Sequence, residues 1–495
     1  MFDPTAFAEA LGAVFSIYYL FFIFAGVLLG IIAGILPGIN GAIGISLILP
    51  FTFGLEPAAA LLMMLGLWGG QNFGGGVTAV LLHTPGAASG AATLFDGYPM
   101  SQRGEAGKAL GIICVASAFG WVLSAVILAL VALPLATVAL RFGPAEYFAV
   151  GVFGLGMVAS ISGDSVLKGM ISTIFGLIIV TVGTDPFSGL PRFTLGRFEL
   201  IDGISFLIVM IGVFAIAEVL VQVEAGRKES GVKARITADL PSWREVKALV
   251  PTMGRSALIG TFVGTAPGAG GSIAAFIAYG QAKRLSKSKH EFGHGSHEGL
   301  AAPEAANNAT EGGAMVPLLT LGVPGSGAAA VILAAMIAFG IRPGPDIFVN
   351  EPVLTYSLFI GLALGGVFLL ALGLILTPWL AMVMRIPSPY LGAAVMGIAL
   401  MAGLTITGLM FDVYLMVAFG VLGYLMRKYG FPVAPLILAM VLGFMMETSM
   451  RRALIISEGD WSIFWTRPIS GLILALAVLS LMSPLLRKAW KALRP

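Results

Sequence analysis

The sequence predicts an all-α polytopic membrane protein with about twelve transmembrane segments, some of them re-entrant or discontinuous, arranged as two inverted-topology repeats. Three observations carry this expectation. The chain is 58% hydrophobic and 11% charged, with a mean hydropathy of +0.97. Apolar runs of membrane-spanning length recur from end to end. A Pro-Gly motif is written twice at a constant offset.

A span needs roughly 20 apolar residues. Such runs occupy 11–36, 57–82, 109–140, 145–161, 166–184, 203–223, 353–384, 388–407, 409–425, 431–447 and 468–486. The first is preceded by Asp3 and Glu9 rather than by basic residues, and no small-residue cleavage site follows it. It therefore reads as a retained membrane helix and not as a signal peptide. The net charge of +3 argues against nucleic acid as a partner. Cys114 is the single cysteine and lies in an apolar run, so it packs and forms no internal disulfide.

The repeat is read from glycines and prolines. Gly30, Gly34, Pro37 and Gly38 return in step as Gly260, Gly264, Pro267 and Gly268, with 267 − 37 = 230. A second pair of breaks follows each glycine cluster: "HTPGAASGAAT" (83–93) and "GVPGSGAAA" (322–330). No Lys or Arg precedes Arg103, whereas Arg255, Lys283, Arg284, Lys287 and Lys289 bracket the second copy. By the positive-inside rule the two copies then enter the membrane from opposite sides. The expected organisation is an N-terminal repeat (1–221), a polar and basic cytoplasmic linker (222–250), and a C-terminal repeat (251–495) ending in the basic cytoplasmic tail "LLRKAWKALRP".

Helix breakers inside an apolar span need a reason. Unpaired backbone in lipid costs several kcal/mol per group, so non-helical chain survives at depth only beside protein or a watery cavity. After each break a half-helix starts, and its free N–H groups carry part of a positive charge. That is a place for an anion. The expected substrate-binding residues are therefore Pro37, Gly38, Asn40, Gly41, Thr84, Pro85, Gly86, Ser89, Pro267, Gly268, Ser272, Asn308, Pro324, Gly325 and Ser326. Ser46 and Thr93 lie close by, and capping alone is the alternative role for such small polar side chains. No tip contains Arg or Lys, so a carboxylate there would rely on dipoles, hydroxyls and co-bound cations.

Half-helix carbonyl ends and Asn side chains suit Na⁺, which makes Asn40, Thr93, Asn307, Asn308 and Glu311 the expected cation ligands, with H⁺ as the alternative coupling ion. No cofactor is expected beyond that coupling ion. The segment "APEAANNATEGG" (302–313) concentrates Glu304, Asn307, Asn308, Thr310 and Glu311 in an apolar neighbourhood, and intramembrane ionisable groups are costly and usually functional. Its alternative is a solvated loop. Asp96, beside Gly97 and Pro99, reads as turn chemistry at the membrane surface. His83 reads as closing a helix end.

"HEFGH" (290–294), followed by His297, matches the H-E-x-x-H pattern of zinc proteases. That chemistry needs both histidines on one helical face, and Gly293 among polar neighbours argues instead for a flexible cytoplasmic loop. A passive channel would need a continuous polar pore rather than opposed tips. A transporter is expected, not an enzyme.

Taken together, "GILPGINGAIG" (34–44), "TPGAASGAATLFDGYPMSQRGEAGKALG" (84–111) and "APEAANNATEGGAMVPLLTLGVPGSG" (302–327) resemble the large membrane subunit of the tripartite tricarboxylate transporters, over nearly the whole chain. The resemblance implies a bacterial inner-membrane importer of di- or tricarboxylates or other organic acids, driven by an ion gradient. It also implies two partners, a small membrane subunit of about four helices and a soluble periplasmic binding protein that captures substrate first. The alternative is an ion-coupled anion carrier that works without partners.

Overall fold

The computed structural model describes residues 2–36, 38–82, 86–161, 165–225, 239–268, 270–383 and 388–492. They are almost entirely helical; a two-residue antiparallel ladder, Gly183–Thr184 with Pro191–Arg192, is the exception. Helices occupy every apolar run named above. Among the described residues six are long and apolar enough to cross a membrane: Ile17–Ile35, Ala106–Ala139, Phe206–Glu224, Pro352–Thr377, Met410–Lys428 and Ala434–Ile456. The chain is a multi-pass membrane protein.

The helices that fall short of that description do so for two physical reasons. Some are short, because breakers end them: Gly41–Thr52 has 12 residues and Gly327–Ala338 has 12. Others are long but polar inside. Pro57–Leu82, the first spine, buries Gln71 and Asn72, and His297–Leu321, the second spine, buries Glu304, Asn307, Asn308 and Glu311.

Two helical hairpins pack on these spines. The first hairpin pairs Ile17–Ile35 with Gly41–Thr52, and the second pairs Trp243–Gly264 with Gly270–Leu285. Small residues let backbones touch. Gly30 and Gly34 lie against the backbone of Leu67 and Gln71 of the first spine; Gly260 and Gly264 lie against Ala306 and Thr310 of the second. The hairpin residues differ by 230 and the spine residues by 310 − 71 = 239. The same offsets recur where Gly74 meets Ile31 and Gly313 meets Thr261, and where Gly86 meets Gly34 and Gly325 meets Gly264.

The spines also bond to each other at equivalent positions. Asn72 Nδ2 donates to Glu311 Oε1 (2.8 Å), and Asn308 Nδ2 donates to the Gly69 carbonyl (3.1 Å). Both pairs are again 239 apart, so each residue meets the one that this offset matches to it. Ala106–Ala139 runs along the second spine, with Gly120 against Ala305 and Gly312 against Ser124. Trp121 on that helix is fully buried, its ring over Gly69 and Gly365. Cys114 packs there too, its Sγ 3.7 Å from the carbonyl oxygens of Leu369 and Leu370.

Helices enter the expected linker from both sides. Ala217–Ala225 extends past its start, and Trp243–Gly264 begins within it, capped by Ser242 and Glu245 in a reciprocal capping box. Residues 226–238 of the linker lie outside the described residues.

Candidate functional site

A cavity of about 450 Å³ lies where all four breaks converge. The first hairpin contributes Asn40 and Gly41, and the segment after Gly86 contributes Ala87, Ala88 and Ser89. The second hairpin contributes Gly270, Gly271 and Ser272, and the segment after Pro324 contributes Gly325, Ser326 and Gly327. The spines supply Trp68, Gln71 and Asn72 from one side and Asn307, Thr310 and Ala314 from the other.

Each break is built by local chemistry. Gly38 takes φ +89° and Gly268 φ +82°, left-handed values that only glycine adopts freely. Asn40 then caps Gly41–Thr52, its Oδ1 accepting from the Ile43 N–H (3.0 Å). Ser326 caps Gly327–Ala338 in the same way, accepting from the Ala329 N–H (3.2 Å). Both caps line the cavity, so two capped helix N-termini face it. Gln71 Nε2 donates to the Ile39 carbonyl (3.2 Å) and pins the first tip to its spine. The Gly268 N–H donates to the Gly325 carbonyl (3.0 Å) and joins the two tips of the second half.

The two sides of the cavity share a geometry. A methyl placed on Gly41 would lie 3.0 Å from Trp68, 3.4 Å from Gln71 and 3.5 Å from Ala328. On Gly271 it would strike Asn307 Oδ1 and lie 3.2 Å from Ser89. Gly271 is 230 beyond Gly41, Asn307 is 239 beyond Trp68, and Ala328 is 239 beyond Ser89. The first tip of each half thus sits against its own spine and the second tip of the other half.

On the cavity wall and behind it the second spine carries polar atoms without partners among the described residues. Both Oδ1 and Nδ2 of Asn307, Oδ1 of Asn308 and Oε2 of Glu311 are buried and unbonded. Glu311 lies four residues after Asn307 and three after Asn308, the spacings at which helical side chains are neighbours. Unbonded buried oxygens are costly, and a carboxylate oxygen especially so. Asn307 Oδ1, Asn308 Oδ1 and Glu311 Oε2 are oxygens of the kind a monovalent cation takes.

The expected residues divide accordingly. Asn40, Gly41, Ser89, Ser272, Gly325, Ser326 and Asn307 line the cavity. Pro267, Gly268, Pro324, Gly38 and Gly86 form the turns behind it without lining it. Asn308 and Glu311 are fully buried on the second spine and do not line the cavity. Pro37, His83, Thr84 and Pro85 lie outside the described residues. Thr93 stands apart from the cavity. Its hydroxyl donates to Glu304 Oε1 (2.5 Å), while Ser117 donates to Glu304 Oε2 (3.0 Å), so two hydroxyls serve this buried carboxylate. Ser46 bonds back to the Ala42 carbonyl (2.5 Å).

The 302–313 segment is the interior of a buried helix, so its alternative as a solvated loop falls. Two sequence readings change. Asp96 is buried in the helix Leu94–Gln102 rather than serving a surface turn; its Oδ1 accepts from the N–H groups of Gly293, Gly295 and Ser296 (each 2.8 Å), and Tyr279 donates to Oδ2 (2.9 Å). The "HEFGH" loop is therefore fastened rather than flexible. Its Lys289–Glu291 turn is 3-10 and ends before Gly293, so the two histidines share no helical face. Burial holds the nearby His297 imidazole below its ordinary value and keeps it neutral.

The cavity also contains what sequence reasoning missed. Arg427, at the end of Met410–Lys428, lines it, as do Phe214 from a π-helical turn and Pro432 to Ala434 at the start of Ala434–Ile456. The statement that a bound acid would meet no fixed positive charge is thus corrected: the charge arrives from a helix distant in sequence. The only hint was the run "RKYGFP" (427–432), another glycine-proline break next to basic residues.

The sequence profile of the tripartite tricarboxylate transporter TctA family matches residues 20–438. The chain is 39% identical over 465 residues to an "Uncharacterized 52.8 kDa protein in TAR-I ttuC' 3'region" of Agrobacterium vitis, covering 94% of this chain and 92% of that protein. It is also 39% identical over 227 residues to an "Uncharacterized protein in TAR-II ttuC' 3'region" of the same organism, covering 46% of this chain and 94% of that one. No solved structure matches.

Proposed function

Since the chain belongs to the tripartite tricarboxylate transporter TctA family, we propose that it imports a small organic carboxylate across the bacterial inner membrane as the ion-coupled, large subunit of a binding-protein-dependent transporter. The observation that carries this reading is the convergence of four chain breaks on one cavity, three of them opening α-helices at Gly41, Gly270 and Gly327 and the fourth the 3-10 turn Ala88–Ala91. Its volume suits a small acid.

The two halves act as inverted repeats. Support comes from the shared offsets, the spine contacts between equivalent residues, and the basic residues around the second copy alone. In the first half the hairpin's open end lies beside Glu56, which accepts from Tyr19; in the second it lies beside Lys108, which pairs with Glu245. The basic end is cytoplasmic.

Substrate carboxylate binds at the capped N-termini, where Asn40, Ser89, Ser272 and Ser326 offer hydrogen bonds and the helix dipoles offer charge. Na⁺ binds behind it at Asn307, Asn308 and Glu311. Placing the cation first creates the positive field that the neutral tips lack, which makes uptake depend on the Na⁺ gradient. The tips then move as a unit relative to the surrounding helices and expose the site to the other side.

The test is uptake of labelled citrate and a panel of other carboxylates into proteoliposomes, with and without an inward Na⁺ gradient, adding a small membrane subunit and a periplasmic binding protein in turn. Accumulation that requires Na⁺ and the binding protein is expected. Unchanged accumulation without Na⁺ removes the cation assignment, and Na⁺-driven accumulation by this chain alone removes the need for partners.

A further inference from the structure

Arg427 is the only charged side chain lining the cavity among the described residues. Its guanidinium has five donors. One Nη donates to Glu218 Oε2, and the other lies 3.5 Å from the Phe214 carbonyl. Donor capacity therefore remains on the cavity side. Glu218 is itself held by Gln222, whose Nε2 donates to Oε1 (3.0 Å), so the pair is braced from behind. Gly38 closes the brace: a methyl there would strike both Glu218 and Gln222.

A second feature points the same way. Ala434–Ile456 starts on the cavity wall just beyond Arg427, and its cap residue Val433 provides no side-chain acceptor. Free N–H groups and a guanidinium thus occupy one wall, while the Asn40 and Ser326 caps occupy the tips. One carboxylate is served by the tips. A second carboxylate brings a full negative charge into a lining that is otherwise neutral, and a buried charge without a partner is strongly disfavoured.

We propose that Arg427 is the receptor for a second carboxylate of the substrate and selects polycarboxylates over monocarboxylates, with Glu218 as the positioning residue that aims the guanidinium. This rests on the carboxylate reading given above and adds the residue that counts carboxyl groups. Arg rather than Lys suits the task because its planar fork grips a carboxylate through two parallel bonds while its far edge keeps Glu218.

The test is equilibrium binding by calorimetry on the full chain in lipid nanodiscs with Na⁺ present, using succinate, butyrate and citrate. Succinate and butyrate share a four-carbon chain and differ by one carboxyl group. In the wild type, succinate is expected to bind at least about tenfold more tightly than butyrate, about 1.4 kcal/mol. Arg427→Gln should bring that ratio close to one and leave butyrate affinity unchanged; Arg427→Lys should fall between. Glu218→Gln should weaken succinate alone, by less than Arg427→Gln does, and the double variant should match Arg427→Gln. If Arg427→Gln fails to fold because Glu218 loses its partner, the Glu218→Gln, Arg427→Gln double variant supplies the same measurement.

A wild-type ratio near one overturns the assignment. So does a ratio that survives in a folded Arg427→Gln protein, or an equal loss of both acids. Those outcomes leave the carboxylate reading standing. Failure of all three acids to bind the wild type removes that reading, and this one with it.

Discussion

The two sides of the cavity share one geometry and differ in chemistry. Around Gly41 stand Trp68, Gln71 and Ala328; at the matching positions around Gly271 stand Asn307 and Ser89, while Thr310, the match of Gln71, lines the cavity. On the spines, Asn72 bonds to Glu311 at the matching position. Of the side chains nearest Gly41, Trp68 and Ala328 are bulky or apolar and the Gln71 amide is committed to holding Ile39. The side around Gly271 presents hydroxyls and unbonded amide atoms, with a carboxylate behind. Close backbone packing fixes the shape in both halves and is indifferent to these side chains. The difference therefore teaches that one scaffold supports different chemistry in its two halves, and the proposed cation site falls in the second.

The largest effect should come from removing the one charged member of the Asn72–Glu311 pair. Glu311→Ala deletes a cation ligand and should lower Na⁺-driven uptake on the order of 100-fold. Glu311→Gln retains an acceptor for Asn72 but not the charge, and residual uptake should lose its Na⁺ dependence. Isotope uptake against a Na⁺ series measures both. If Asn72→Ala, at the matching position, abolishes Na⁺ dependence as fully as Glu311→Ala, the division of labour between halves is wrong.

A smaller effect should follow from adding a methyl group at the matched glycines. At Gly271 it displaces Asn307 Oδ1, whereas at Gly41 it meets the edge of Trp68 at 3.0 Å, a contact that a slight ring shift relieves. Gly271→Ala should weaken Na⁺ binding about tenfold and Gly41→Ala by no more than about threefold. Direct Na⁺ titration in nanodiscs reads the pair, and equal losses would contradict the asymmetry.

What the sequence made legible follows from what repeats in it. Pro-Gly breaks and glycine ladders recur at fixed spacing because backbone approach admits few residues, so the four tips could be read directly, although the chain after Gly86 forms a 3-10 turn, Ala88–Ala91, and not the half-helix expected there. Asn307 and Glu311 stood out because polar residues are conspicuous in an apolar chain. Arg427 and Glu218 did not. They lie at helix ends where charges are ordinary, and their meeting at the cavity is a product of tertiary packing. Asp96 was misread for a related reason: its neighbours Gly97 and Pro99 are turn residues, yet the helix Leu94–Gln102 contains both. The partners of its Oδ1 lie about 200 positions away.

The second tips extend the comparison beyond the cavity. After Ser89 the chain is tied down by Asp96, one carboxylate oxygen accepting from three N–H groups of the loop that opens the second spine. After Ser326 the chain enters Gly327–Ala338, a wholly apolar helix held by burial. Charge-assisted bonds exceed neutral ones by about 1 kcal/mol. Asp96→Asn should therefore lower stability by about that amount and reduce the melting temperature of the chain in detergent. Glu291→Gln in the same loop, exposed and outside the clasp, should leave both melting and uptake unchanged. Abolition of activity by Glu291→Gln would instead revive an enzymatic role for the loop.

The smallest effect concerns a more exposed polar tie, Lys108 with Glu245 (2.5 Å), which joins the long helix Ala106–Ala139 to the first turn of the second hairpin. Hydrogen bonds from Lys108 and then Ser242 hold the Glu245 carboxyl down at about 2, against an ordinary 4.5. A depressed carboxylate contributes stability above its unfolded value and loses it as pH falls through the folded one. The contribution should thus be complete at neutral pH and fade between about pH 4.5 and pH 2. Both side chains are partly exposed, so solvent screening limits it to about 0.5 kcal/mol. Lys108→Ala should lower the melting temperature slightly at pH 7, and the gap to wild type should narrow at pH 3. A gap independent of pH would assign the loss to the Lys108 hydrocarbon stem. The Asp96 clasp would then be the stronger polar tie between the halves, since its three N–H bonds sit out of water where the Lys108 pair does not.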